Sequence, residues 1–449
     1  MAARRARMAR ARKAAGYTQD DLAEALHIDR STVHRWESGR SEPLPYIRPK
    51  LARLLGLTAA QLEDILAGTH PDDVVASGST TGMGQFDSTS PNGAARVAGT
   101  DHQLAALVRR WVGEMNRREL LQLLGLGAVT AGSPELLDLD DQERVARAVA
   151  TPARVDERVI ENLRAVYWAC RRQDDALGPQ AVLPTVSAQL KLVRAMLDDC
   201  PSPLRPRLLS TYGGLSDLAG WLYTDIGDYT TSWQHFERAR EIAHEARDPA
   251  LSGFVLGRMS HTALAQDKIH LAIDFAEASR KVAERSDDAL VRAYAASETA
   301  KAYAKDGQVS PCLEAVEEVE QRMGEVDAQP AASSSLAYFY DNGSVGSAKA
   351  KCFLALGRPH DAAAEARTAL AQHEKSLVRD NAFTMLYLAN AHIQLREPDA
   401  AALIMGDVIE ATTQNRSVRL LERLHGARSA LKPWNDADAV KTLDEQLRA

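Results

Sequence analysis

The stretch GYTQDDLAEALHIDRSTVHRWESGRSEP, residues 16–43, decides how the N-terminal part of the chain folds. Thr18 stands three residues before Asp21, the spacing of a capping box, and Tyr17 and Leu22 are placed to staple the turn at the head of a helix. Leu22, Ala23 and Leu26 then recur on one side and give that helix a buried face. A second start signal follows at once. Asp29 stands where a cap is needed, and Ile28 with Val33 forms a second staple. Val33 and Trp36 point to the core, which leaves Arg30, Ser31, His34 and Arg35 on the outer face of a second helix.

Two short helices joined by a tight turn, the second with cations and hydroxyls outward, are what reading a DNA major groove requires. A helix fits the groove and its N-terminal side chains meet base edges. Arginine grips guanine O6 and N7 with two hydrogen bonds, whereas hydroxyls such as those of Ser31 and Thr32 discriminate less. Residues 8–67 resemble the Xre/phage-repressor helix-turn-helix domain. The match is carried by Arg12, Gly16, Thr18-Gln19, Leu22-Ala23, Ile28, Val33, Trp36-Glu37, Gly39 and Pro43. The segments LPYIRPKLARLLGL and TAAQLEDILA, residues 44–57 and 58–67, would complete five helices, with Thr58 capping the last. The resemblance implies that Gln19 touches backbone phosphate, that Arg30, Ser31 and Arg35 read bases with Thr32 and His34 beside them, and that Arg40 holds phosphate. It also implies an internal ion pair between Arg12 and Glu37. His27 departs from the pattern, which places glycine in the turn, and a non-glycine residue with positive φ costs some stability. A head of this type grips one half-site weakly, so a homodimer on a near-palindromic stretch of double-stranded DNA is expected.

The charge distribution agrees with that reading. Residues 1–67 carry 12 Lys and Arg against 8 Asp and Glu, although the whole chain has a net charge of −7, so a basic head joins an acidic body. Arg4, Arg5, Arg7, Arg10 and Lys13 precede the first acid, Asp20, and extend the positive field, or simply form a solvated tail. With 449 residues, two or more domains are expected. Only 5% are aromatic, and Ala, Leu, Glu and Arg dominate, so the expected class is all-α.

Composition changes sharply after the head. Residues 68–100 are rich in Gly, Ser, Thr, Pro and Asp and read as a flexible linker. Helical periodicity resumes in a connecting region, 101–204, and continues through 205–449 as helices in pairs. In LAGWLYTDIGDYTTSWQHFERA, a turn at Gly227-Asp228 separates Ala219, Gly220 and Tyr223 from Ser232, Phe236 and Ala239, a small-large alternation that resembles the tetratricopeptide repeat. Further copies follow at a step of about 40 residues rather than the usual 34. The first and fourth match the pattern best, and the second, third and fifth are degenerate. The expected body is therefore an α-solenoid of tetratricopeptide-like repeats, flanked by helices around 157–173, 180–198 and 416–431.

Extrapolating the register puts Asp217, Trp221, Arg258, His261, Tyr294, Lys301, Lys351, Tyr387 and Asn390 on its concave surface. Such a surface suits a peptide, a small molecule or a partner protein. Equally, it can be filled by the chain's own C-terminal helices or by a second subunit. Joined to a repressor-like head, the body resembles peptide-sensing regulators of Gram-positive bacteria and arginine-rich actinobacterial regulators, and the low Lys share favours the latter. The expectation is a transcriptional regulator; the alternative is a protein–protein adaptor that uses its head only for localisation.

Other classes lack their chemistry. There is no GxxxxGK[ST] phosphate loop, Gly125-Leu126-Gly127 has no third glycine, and His373-Glu374 has no second histidine at metalloprotease spacing. No enzyme, cofactor or metal is expected. Cys170, Cys200, Cys312 and Cys352 form no CxxC pair and read as buried reduced thiols. No apolar run is long enough to span a membrane. Asn116-Arg117-Arg118-Glu119-Leu120-Leu121 resembles a twin-arginine signal but follows a complete domain, so it reads as an amphipathic helix and the expected compartment is the cytoplasm.

Overall fold

The computed structural model describes residues 2–15, 17–26 and 30–38, short pieces at 43, 51–52, 54–55, 57–58, 61–62 and 65, and residues 139–326, 335–415 and 417–448. Among these, every regular element is helical. The chain divides into two compact units, Met1–Ala94 and Ala95–Ala449. The expected linker at 68–100, the Asn116–Ala131 segment, His27 and the Asp29 cap lie outside the described residues.

In the first unit, α1 (Ala2–Ala14) and α2 (Gln19–Leu26) both pack on α3 (Arg30–Ser38). The capping box at the start of α2 is formed: Thr18 N–H donates to Asp21 Oδ2 at 2.9 Å, and Asp21 N–H donates back to Thr18 Oγ1 at 3.1 Å. The Thr18 hydroxyl, donating to Asp21 Oδ2 at 2.6 Å, and next the Thr18 N–H hold the Asp21 carboxyl below its ordinary value. A second reciprocal pair links Thr58 and Gln61, at 2.8 and 3.2 Å, where the last helix of the head was expected to begin. Met8, Leu22, Ala23, Leu26, Val33, Trp36, Leu51, Leu55 and Leu62 are buried together as a small core.

Among the described residues of the second unit, the first helices are α4 (Leu139–Ala150), α5 (Glu157–Leu177) and α6 (Pro179–Leu197). Five helix pairs follow: α7 (Arg205–Ile226) with α8 (Tyr229–Ala246), α9 (Pro249–Ala265) with α10 (Ile269–Ala283), and α11 (Ala289–Lys305) with α12 (Val309–Val326). The last two are α13 (Asn342–Ala355) with α14 (Pro359–Gln372), and α15 (Val378–Gln394) with α16 (Pro398–Gln414). Two helices, α17 (Val418–Ala430) and α18 (Asp438–Gln446), finish the unit. Within each pair the helices pack closely, and the first helices of successive pairs pack side by side.

The pairs share a turn that the backbone explains. Each first helix ends on a left-handed residue: Gly227 (φ 90°), Asp267 (φ 58°), Gly307 (φ 74°), Gly357 (φ 70°) and Arg396 (φ 62°). Glycine occupies this conformation without penalty, whereas Asp267 and Arg396 bear a steric cost. Asp228, Asp248, Asp288 and Asp341 cap following helices by accepting a backbone N–H three residues on. The small-large alternation is a packing device. A Cβ added at Gly220 would lie 2.7 Å from Phe236 Cδ1, so glycine is what lets α7 and α8 meet.

All four cysteines are buried and unbridged. Sequence distance concealed one relation among them: Cys312 and Cys352, on neighbouring pairs, meet in the core. The interaction between the two thiols lowers the Cys312 pKa and, with burial, raises that of Cys352.

The array curls until its ends touch: α5 packs on α15, and α7 on α17. An interior results.

Candidate functional site

That interior is a chamber of about 110 Å³, continuous with a wider vestibule of about 500 Å³. His261, Lys301, Lys351, Phe383, Tyr387 and Arg419 border both spaces. Trp221, Arg258, His261, Tyr294, Lys301, Lys351 and Tyr387 line the inner chamber, and Asn390 lines the vestibule. Asp217 corrects the sequence expectation. It is 2% exposed and does not line the chamber, because one helical turn before Trp221 it lies under the charges of Arg258 and of Arg171 from α5. Burial raises its pKa to about 6 against the pull of those two cations.

The chamber is closed by a buried clasp that sequence reasoning missed. Arg379 reaches Asp174 Oδ2 at 3.0 Å, Asp175 Oδ1 at 3.4 Å and Asp225 Oδ2 at 3.5 Å. Arg419 adds a 3.0 Å contact to Asp225 Oδ1, and Ser417 Oγ donates to the same oxygen at 2.8 Å. Asn415 Nδ2 donates to the backbone oxygens of Asp174 and Asp175 at 3.2 and 3.0 Å. Burial pushes Asp225 up, but Arg379 and Arg419 outweigh it and leave the carboxyl below its usual value. Asp175 is raised by burial to about 6, although Arg379 opposes this and Tyr338 donates to its Oδ2.

Charge and aromatic surface alternate around the wall. The Arg258 guanidinium lies 3.8 Å from the centre of the Trp221 ring, and Arg419 lies 4.7 Å from the same ring. His261 packs edge-on to Trp221 and, with burial lowering its pKa to about 3, is a neutral ring. Its Nε2 accepts from Arg419 Nη1 at 2.9 Å while Nδ1 faces Glu298 Oε2 at 3.5 Å. Lys301 Nζ donates to Glu298 Oε1 at 2.6 Å. Burial would raise Glu298, yet Lys301 and His261 bring it well below the usual carboxylate range. Burial, and next Lys301, push the Lys351 ammonium down to about 7.

The head presents a different surface. Glu37, on α3, is 8% exposed and accepts from Arg12 Nε of α1 at 2.6 Å and from Gln19 Nε2 of α2 at 2.6 Å. Arg12 also donates to the Tyr17 backbone oxygen at 2.6 Å, so one buried carboxylate and one guanidinium fasten all three helices. On the outer side of α3, Arg30 and His34 are exposed and Thr32 is half-buried. Arg30 pairs with Asp20 at 3.6 Å, with both side chains about two-thirds exposed (67% and 70%), so water or a phosphate displaces the pair at little cost. Residues 8–62 match the helix-turn-helix family model.

The matched segment is a helix-turn-helix domain of the Xre type, a family that supports reading the chain as a DNA-binding regulator. No curated protein matches the chain. Within the helix-turn-helix, the ion pair implied for Arg12 and Glu37 is present, and Val33 and Trp36 are buried as their spacing required. Gln19 sits at the first turn of α2, its amide nitrogen engaged with Glu37, and shares a shallow depression with Lys13, Thr18 and Arg30. The side chains of Ser31 and Arg35, and Arg40 altogether, lie outside the described residues. Among the described residues no helix is long and apolar enough to cross a membrane, and no group of histidine, cysteine and acidic side chains could hold a metal ion.

Proposed function

We propose that the chain is a sequence-specific transcriptional regulator whose body is a tetratricopeptide-like array that dimerises and senses a ligand in its interior. The observation that carries the DNA-binding part is the Arg12–Glu37–Gln19 lock. It fixes α3 from behind while its outer side stays open to solvent, as base reading demands. In this reading Arg30, Ser31, Arg35, Thr32 and His34 face the groove, and Gln19 and Arg40 hold phosphate. The paired helices, their shared left-handed turn and the glycine-aromatic contact at Gly220 and Phe236 support the repeat assignment. Two heads carried by a dimeric body gain their second half-site contact only when their spacing fits the operator, because tethering raises effective concentration. A ligand that changes how the bodies pair then changes occupancy.

Footprinting of the full chain on the promoter region of its own gene tests this. A compact symmetric footprint is expected. Binding with no sequence preference would instead favour an adaptor localised by a nonspecific head.

A further inference from the structure

Not every cation on the chamber wall is hydrogen-bonded to an acid. Arg379 is committed to Asp174, Asp175 and Asp225, with Asp380 also near its charge. Arg419 is committed to Asp225 and His261, and Lys301 to Glu298. Two cations remain. Arg258 is 6% exposed, stacked on Trp221, and makes no hydrogen bond or salt bridge among the described residues; its Nε is buried without a partner. The acid behind it, Asp217, makes none either, and its Oδ1 is likewise unpartnered. Lys351 projects into the space shared by chamber and vestibule, again without a hydrogen bond or salt bridge among the described residues. The charge of Arg258 is offset by Asp217 and that of Lys351 by Glu298, but neither cation has its N–H donors filled, and unfilled donors on two cations in one cavity mark a place for an anionic acceptor. Between them the wall is flat and apolar: Trp221, Tyr294 and Phe383 border the same space. Only chamber and vestibule taken together, about 110 and 500 Å³, give the room of a small-molecule site, and the clasp closes the array where an extended peptide would have to leave.

We propose that the chamber binds a small organic anion with a flat apolar body, its acidic groups meeting Lys351 and Arg258 and its ring lying among Trp221, Tyr294 and Phe383. This names the ligand class for the sensing body proposed above and rests on that reading only for its consequence at DNA. The vestibule supplies the entry path, with Arg423 at its border to draw an anion inward.

The test uses the full chain and naphthalene-2,6-dicarboxylate as probe, with the uncharged diamide of the same shape as control, followed by calorimetry and thermal melting at pH 6. The acid should bind and raise Tm, and the diamide should bind at least about tenfold more weakly, the scale of one charge-assisted hydrogen bond. Lys351→Met should lose at least about tenfold in affinity for the acid while Tm without probe rises, because a poorly solvated charge has gone. Arg258→Met provides a second variant with the same expected loss of affinity. Equal binding of acid and diamide, no binding of either, or unchanged affinity in both variants would overturn the assignment. So would a Tm lowered by Lys351→Met, which would make that lysine a structural cation. Operator affinity is read separately, with and without probe. If the probe binds and operator affinity does not move, the chamber assignment stands and the sensing reading falls.

Discussion

At Glu37, one carboxylate holds three helices, so its substitutions separate charge from shape. Glu37→Ala leaves the buried Arg12 guanidinium unpaired and should destabilise the helix-turn-helix by about 3–5 kcal/mol, read as lost operator binding and loss of the head's melting transition. Glu37→Gln preserves the shape and should cost less. Arg30 has the opposite character. Exposed and loosely paired with Asp20, it contributes little to the fold, so Arg30→Ala should leave Tm unchanged. On a specific site it should cost about 1–3 kcal/mol while nonspecific DNA binding is kept; equal losses on both DNAs would reduce Arg30 to a phosphate contact. Lys351 supplies a pH test. It faces Glu298 and Lys301 on α11, His261 on α9, Tyr387 on α15, Arg419 and Arg423 on α17, and its chain neighbour Cys352. Its pKa in the fold, about 7, lies below the ordinary 10.5, so across that window the unfolded chain holds the extra proton. The cost of burying this charge is therefore full below pH 7 and is relieved as pH rises toward 10.5. An anion needs the protonated amine, so affinity for the naphthalene probe should fall from pH 6 to pH 8, and the Lys351→Met variant should show a flatter profile.

Helices and their turns were largely legible in the sequence, and where they were not the reason is local. The capping box at Thr18–Asp21 and the cap at Thr58 could be read because a cap and its partners lie within one turn. The first and fourth helix pairs stood out because Gly227 and Gly357 mark their turns. The second and fifth lack that mark, since Asp267 and Arg396 hold the same left-handed position without glycine's freedom, whereas the third looked degenerate although Gly307 marks its turn. Arg396→Gly should therefore stabilise the body by about 1 kcal/mol, measured as a higher denaturant midpoint at unchanged slope. Asp267 is a less clean site, since it also pairs with Lys305 at 3.1 Å. Gly220→Ala should act in the other direction, costing roughly 1–3 kcal/mol as the new methyl meets Phe236. An unchanged midpoint there would mean that α7 and α8 can part without loss.

For the molecule as a whole, the decisive contacts join residues that no local pattern connects. The alternation of small and large side chains placed Trp221, Tyr294 and Lys351 on one inner face, but Arg379 and the acids Asp174, Asp175 and Asp225 lie on helices far apart in the chain. The curvature that brings them together accumulates from pair to pair, and a period alone does not give it. Arg379→Met should leave the buried Asp174 and Asp225 and the half-buried Asp175 short of a cation and cost about 3–5 kcal/mol. Hydrogen exchange should locate that loss in α5 and α15, while the middle pairs keep their protection. The clasp also sets an order of events during synthesis. At about 5–20 residues per second, Asp174 leaves the ribosome roughly 10–40 s before Arg379. Each hairpin can form from neighbours already made, because its contacts are local. The ring cannot close until its last pair has been translated, and until then the nascent chain holds an open coil with acids awaiting their cation. A chain halted before residue 379 has every early helix and no interior.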